Sequence, residues 1–298
     1  MESIQRNSGK MDSTVSICFA CDNNYVACLK VSIYSLLCNR DKSKYYDIII
    51  LHTVITKQNQ EDVLKLIQEE ENVAIRFIDL TEEEMKIKYE VGAYYSIATL
   101  YRLFLFTDLF KNYEKLLYLD CDLVVLEDIS KLYNLDMQGM HIAAIEDIGM
   151  KQIRYDANAM VPYNGGFVSG KRYCENILRL KNMENYFNAG VVLYDLNKCR
   201  ETYSFAEVID VLYSNNFVFN DQDTLNIIFE DKVKKVDCKW NYQNMLDDFL
   251  MKNEGDYAPQ LKAFKRNEYG IVHYVGEEKP WNGTVKLDRF YHQYADML

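Results

Sequence analysis

At 298 residues the chain has room for one large or two ordinary domains, and with 49% hydrophobic and 27% charged residues it can bury a sizeable core. Its net charge of −11 argues against nucleic acid as a partner, because phosphate binding needs a basic surface. No apolar run approaches the ~18 residues of a membrane-spanning helix.

Met1 to Lys10 is polar and lacks the apolar stretch of a signal peptide. Residues 1–13 therefore read as a disordered leader, structure is expected from Thr14 onward, and the expected compartment is the cytoplasm. Of the eight cysteines, Cys18 and Cys21 form a lone Cys-x-x-Cys inside an apolar run, and no second pair follows at zinc-site spacing. Reduced, packed thiols are expected, with a structural zinc as the alternative.

Val15 to Ala20 reads as a first strand, and Val26, Leu29, Ile33, Leu36 and Leu37 mark the apolar side of a first helix. Asp47 to Leu51 is a second strand, Lys57 to Glu70 an amphipathic helix and Val73 to Leu80 a third strand. Ser96 to Leu109 reads as a helix, and Lys115 to Leu126 as one strand buried on both faces. Strands alternating with helices predict a doubly wound α/β sheet, with ligands at the carboxyl ends of the strands. The loop after strand one holds Asp22, Asn24 and Tyr25 and has no glycine, which excludes a dinucleotide fingerprint and a phosphate loop. Side chains must hold any nucleotide there; an ordinary capping turn fits the same residues.

The second half is less regular. Strands are expected at His141 to Ile145, Asn188 to Asp195, Val233 to Trp240 and Ile271 to Gly276. Helices are expected at about Lys198 to Tyr213, from Asn220 to Phe229, and from Leu287 to Leu298. Met150 to Glu184 is polar and basic. No repeat or low-complexity linker divides the chain, so 14–298 is read as one catalytic domain.

In the Lys115 to Leu126 strand, Asp120 and Asp122 would point the same way and Cys121 the other. Two carboxylates together in apolar surroundings repel and lose hydration, so one protonates or a cation sits between them. A divalent metal fits best; two acids capping the next turn is the simpler alternative.

The pieces in order resemble glycosyltransferase family 8, the retaining transferases that include bacterial lipopolysaccharide galactosyl- and glucosyltransferases and glycogenin. Phe19-Ala-Cys-Asp-Asn-Asn-Tyr25 resembles the donor-nucleotide loop, Ser96-Ile-Ala-Thr-Leu-Tyr-Arg102-Leu the sugar-contacting helix, and Leu117-Tyr-Leu-Asp-Cys-Asp122 the Asp-x-Asp metal motif. Tyr186-Phe-Asn-Ala-Gly-Val191, Asn220-Asp-Gln-Asp-Thr-Leu225 and His273-Tyr-Val-Gly-Glu-Glu-Lys-Pro-Trp281 follow. The resemblance spans roughly residues 14 to 285.

It implies a Rossmann-like, GT-A-type nucleotide-diphospho-sugar transferase fold with an irregular acceptor-side second half. The implied metal is Mn2+, with Mg2+ as alternative, held by Asp120, Asp122 and His273. The implied donor is UDP-glucose or UDP-galactose, contacted by Ala20, Asp22, Asn24, Tyr25, Arg102, Asp120, Cys121, Asp122, Asp147, Asn188, Ala189, Asp221, Gln222, His273, Gly276 and Lys279. Lys279 would be a second counter-charge for the diphosphate, and Gly276 would let backbone approach it. Arg102 could equally be a surface arginine and Asp147 a strand-end cap.

Retention usually calls for a carboxylate nucleophile, yet the implied catalytic position is Gln222, a poor one. Two routes follow: front-side attack with Gln222 stabilising the developing cation, which is favoured, or a covalent intermediate on an acid such as Asp221. The implied partners are a UDP-hexose and a glycan, lipid-linked or protein acceptor. The Asp147 to Asn188 stretch is longer and more basic than in compact bacterial members and is expected to form an acceptor-side lid. The competing functions are a sugar-nucleotide nucleotidyltransferase and a non-catalytic UDP-sugar binding protein.

Overall fold

The computed structural model describes residues 3–5, 14–85, 87, 96–156, 158–245 and 268–298. Twelve strands are described: β1 (Thr14–Ala20), β2 (Tyr45–His52), β3 (Val73–Asp79), β4 (Lys115–Leu119), β5 (Leu123–Val125), β6 (Ile142–Glu146), β7 (Met160–Tyr163), β8 (Gly166–Ser169), β9 (Phe187–Asp195), β10 (Val233–Lys235), β11 (Tyr242–Gln243) and β12 (Ile271–His273).

Seven of them form the central sheet in the order β10-β6-β9-β4-β1-β2-β3. Its pairings are parallel except those of β9, which runs antiparallel to both β4 and β6. The inner strands are apolar on both faces, as the complete burial of Ile17, Ile48 and Leu117 on one side and of Cys18, Ile49 and Leu116 on the other shows. The mixed α/β architecture and its parallel-dominated sheet agree with the expected fold class. Chain order reverses between β1 and β4, where a cleft is expected in such sheets. Because β9 is antiparallel, its first residues, Phe187 to Gly190, lie at the same edge as the ends of β4 and β6. That reversal carries Asn188 and Ala189 to the cleft.

The run from Lys115 to Leu126 is not one strand. β4 ends at Leu119, opposite Val191, and β5 joins a second sheet of order β11-β12-β5. Asp120, Cys121 and Asp122 occupy the step between the two sheets, so period-two alternation does not set their directions. The helix Val26–Asn39 secures the step: the Ser32 hydroxyl lies 2.5 Å and 2.6 Å from the carbonyl oxygens of Cys121 and Leu123, and Ser35 Oγ accepts from the Val125 N–H at 2.9 Å.

Several elements are shorter or tighter than the sequence suggests. Ser96 to Leu109 holds a ten-residue 3-10 helix, Ile97–Phe106, and a second short one. The expected helix at 198–213 is two helices, Leu196–Thr202 and Phe205–Tyr213, the second begun by a Ser204/Glu207 capping box. The expected strand from Val233 to Trp240 pairs only over Val233–Lys235 and continues as a 3-10 turn. The amphipathic helix from Lys57 is α-helical to Leu64 and then tightens over Lys65–Ile67.

Two large apolar clusters sandwich the sheet, and a third lies under the 150–186 segment. That third core gathers Met150, Val161, Tyr173, Cys174, Leu178, Met183, Tyr186 and Phe217 beneath the β7–β8 hairpin. Within the stretch expected to be a disordered leader, Ile4 is buried and donates its N–H to the Leu109 carbonyl at 2.8 Å, while 1–2 and 6–13 lie outside the described residues. All eight cysteines are free thiols and six are buried. No described helix is long and apolar enough to cross a membrane.

Candidate active site

A cleft of about 550 Å3 opens at the sheet edge where β1, β4 and β6 end and β9 begins. Of the expected donor-contacting residues, all but Asn24 line it. Asn24 is exposed, and its backbone N–H donates to Asp22 Oδ1 at 2.8 Å. Asp22 also accepts from the Tyr25 N–H, at 3.1 Å, so the capping turn weighed from the sequence is formed while Asp22 still lines the cleft. Tyr25 is braced edge-on by Trp281.

The metal-motif acids meet their expected partner from the far end of the chain. Ligand atoms of Asp120, Asp122 and His273 lie within 4.8 Å of one another. His273 Nδ1 lies 2.9 Å from Asn241 Oδ1, while Asn241 Nδ2 donates to Asn188 Oδ1 at 2.8 Å. The Asn241 amide thereby makes Nδ1 the donor and turns Nε2 toward the carboxylates, 3.2 Å from Asp122 Oδ1 and 3.8 Å from Asp120 Oδ2. A lone pair facing two carboxylate oxygens is satisfied by a cation, and hard oxygens with one imidazole suit a divalent metal. The donor set fits. Gly190 makes room for it: a Cβ there would stand 2.3 Å from His273 Cε1 and 2.6 Å from Asp120 Oδ2.

Asp120, Asp122 and Asp221 each face a cation. Lys279 Nζ donates to Asp122 Oδ2 and to the Tyr274 carbonyl, both at 2.5 Å. Burial works against ionisation of Asp122, but the Lys279 ammonium outweighs it and holds the carboxyl far below its ordinary range. Arg102 is buried rather than on a helix surface, which corrects the alternative reading of its role. It donates to Asp120 Oδ1 at 2.8 Å and to the Ala189 carbonyl at 2.6 Å, pairs with Asp221 Oδ2 at 2.8 Å, and lies over the Tyr118 ring. Asp221 accepts from the Thr99 hydroxyl at 2.6 Å, and burial pushes its carboxyl up against the pull of Arg102.

Asp147 caps the next helix and also lines the cleft. Oδ1 caps the helix Ile148–Tyr155 through the Met150 N–H at 2.7 Å, and Oδ2 accepts from Asn188 Nδ2 at 2.9 Å and Gln222 Nε2 at 3.2 Å. Gln222 Oε1 accepts from the Ala189 N–H at 3.0 Å. Hydrogen bonds thus run without a break from Gln222 through Asp147, Asn188 and Asn241 to His273. Gly276 has φ +84°, a conformation open to glycine at little cost, and lines the cleft beside Lys279.

Reasoning from sequence missed Asn241, Gly190, Thr99 and the partners of Asp223. Asn241 and Thr99 carry no spacing signal, because their roles depend on elements far apart in the chain. Gly190 stood inside a quoted motif, and only its surroundings show why it must lack a side chain.

The family model described as glycosyl transferase family 8 matches residues 16–284. General stress protein A of Bacillus subtilis (strain 168) is 27% identical over 301 residues, covering 95% of this chain and 94% of that one. Lipopolysaccharide 1,2-glucosyltransferase of Escherichia coli (strain K12) is 24% identical, covering 90% of this chain and 73% of its own. Among solved structures, the apo bifunctional glycosyltransferase WbbM superposes with a TM-score of 0.84 at 28% identity, over 97% of this chain and 50% of that one.

Proposed function

The chain belongs to glycosyltransferase family 8, and from that premise we propose that it transfers glucose or galactose, with retention, from a UDP-hexose to a hydroxyl of a glycan, glycolipid or glycoprotein. The observation that carries the reading is the hydrogen-bonded chain from Gln222 to His273, which joins a sugar-sized polar wall to a metal-ligand triad.

Asp120, Asp122 and His273 would hold Mn2+, with Mg2+ as the alternative; when bound, the ion offsets charge developing on the diphosphate leaving group. Arg102 aims Asp120 through its bond to Oδ1. Lys279, released in part from Asp122, supplies a second positive charge near the phosphates. Asp22, Asn24 and Tyr25 hold the nucleoside. Asp147, Asn188, Arg102 and Asp221 take the sugar hydroxyls, while Gly276 and Ala189 offer backbone at close range. Gln222 presents its amide oxygen to the reacting carbon, where it stabilises developing positive charge during front-side attack. Asp221 is engaged by Thr99 and Arg102, which disfavours it as a nucleophile. Eight free thiols suit a reducing compartment, the cytoplasm.

The test is UDP release from a panel of UDP-hexoses with Mn2+. One donor is expected to be hydrolysed slowly, with activity lost to chelator and in Asp120→Asn. Pyrophosphate made from UTP and a sugar phosphate would overturn the reading, as would a sugar found covalently bound to Gln222 or Asp221 for the front-side route.

A further inference from the structure

Asp223 follows Gln222 but points away from the cleft into the third core, with no exposed surface. Its Oδ2 accepts from the Tyr173 hydroxyl at 2.5 Å and the Phe219 N–H at 2.9 Å, and its Oδ1 from the Tyr186 hydroxyl at 2.6 Å. Tyr173 belongs to the 150–186 segment and in turn accepts from the Val218 N–H at 2.8 Å. Three stretches of chain therefore converge on one carboxylate. The helix that carries it, Asn220–Ile228, is entered through Asn220 in the left-handed region at φ 43°.

The directions of these bonds matter more than their number. A carboxylate can only accept, so the single proton of the Tyr186 hydroxyl is committed to Asp223. The Tyr186 oxygen then has only a lone pair to offer Gln222, and it accepts from Gln222 Nε2 at 3.3 Å. Asp147 Oδ2 likewise only accepts from Nε2, and the Ala189 N–H only donates to Oε1. Every partner of the Gln222 amide has a fixed sense, and for Tyr186 that sense is imposed from behind, by Asp223.

We propose that Asp223 is a positioning residue that, through Tyr186, works with Asp147 and the Ala189 N–H to fix which end of the Gln222 amide faces the donor sugar. The inference rests on the transferase reading, in which an amide oxygen, not an amide nitrogen, must face developing positive charge. Asp223 itself touches no substrate. It holds polarity: an asparagine there could donate to Tyr186, free the phenol proton toward Gln222 and favour the reversed amide.

The experiment compares Asp223→Asn with Tyr173→Phe, using UDP release with the donor that the wild-type protein turns over. Asp223→Asn conserves shape and is expected to lower kcat about 30-fold with donor KM within about two-fold, the pattern of an interaction made in the transition state. Tyr173→Phe removes one donor to Asp223 without touching Tyr186; it should lower thermal stability but keep kcat within about three-fold. Equal losses of kcat in both variants, tracking their melting temperatures, would overturn the inference in favour of packing alone. So would an unchanged kcat in Asp223→Asn, or a sugar covalently bound to Asp223. A wild-type protein that releases no UDP from any donor overturns the transferase reading instead. The Gln222 side-chain amide resonances then decide the inference alone: they should shift in Asp223→Asn and stay in place in Tyr173→Phe, and the reverse would overturn it.

Discussion

On one wall of the cleft Asp122 faces an ammonium and an imidazole; behind the other wall Asp223 faces two phenols and a backbone N–H. Asp223 is wholly out of water and Asp122 largely so, and they respond in opposite ways. The Lys279 ammonium holds Asp122 well below the ordinary carboxylate range, whereas burial pushes Asp223 up to about 6 despite its three donors. A wall balanced by ions can exchange one cation for another, which suits an ion and a diphosphate that come and go. A wall balanced by neutral donors cannot change its charge without disturbing its geometry, which suits fixing the direction of an amide.

The sharpest way to break the first wall is to remove a carboxylate from it. Asp120→Asn should reduce UDP release by roughly a thousand-fold or more, in line with loss of a charge-stabilising group. Chelation of the wild-type protein should do the same. Mn2+ should raise the melting temperature of the wild-type protein and not of this variant.

Gly190→Ala leaves every charge in place and spoils only the space. Its methyl group would press on His273 and Asp120, so kcat should fall by about 100-fold from misplacement. Stability should fall by about 1–3 kcal/mol from overpacking, measured by denaturant unfolding.

The opposite responses of Asp122 and Asp223 can be read from stability against pH. Folded Asp223 keeps a proton between about pH 4 and 6 that the unfolded chain has released, so its contribution falls as pH rises across that window, by on the order of 3 kcal/mol. Asp122 stays ionised when the unfolded chain protonates, so its contribution is present above the ordinary carboxylate pKa and is lost as pH drops below it. Asp223→Asn should remove the first slope and leave the second. Equal slopes in variant and wild type would erase the contrast.

The smallest effect is expected from Asn24. Asn24→Ala should raise the donor KM by no more than about three-fold, because the side chain is exposed and contributes at most one hydrogen bond to the nucleotide.

What could be read from the chain divides along the same walls. Asp120 and Asp122 announced themselves because acids inside an apolar run are costly and need an explanation. His273 and Lys279 were found only through resemblance, since no local spacing ties them to residue 120. The break between β4 and β5 was hidden: Leu119 and Leu123 are equally apolar, and the change of sheet is decided by β12 pairing with β5. The 3-10 geometry of Ile97–Phe106 was hidden because its apolar side reads much like that of an α-helix. Tyr173, Tyr186 and Asp223 were not legible as a unit, because a phenol bonded to a carboxylate leaves no pattern in sequence. Tyr186 and Asp223 stood in two separate quoted motifs, with nothing to join them.

The pairing of β5 with β12 has a consequence for how the protein comes into being. Asp122 and His273 are 151 residues apart, and the short β5–β12 ladder, Ile271 to Val125 through His273 to Leu123, is what brings them together. A chain emerging from the ribosome can pair β1, β2, β3 and β4 long before this clasp exists. Contacts so distant in sequence carry a large loop-closure cost and form late. A half-made chain would therefore hold two acids at a bare strand end, and the site around them would close only once Ile271 to Lys279 had been made.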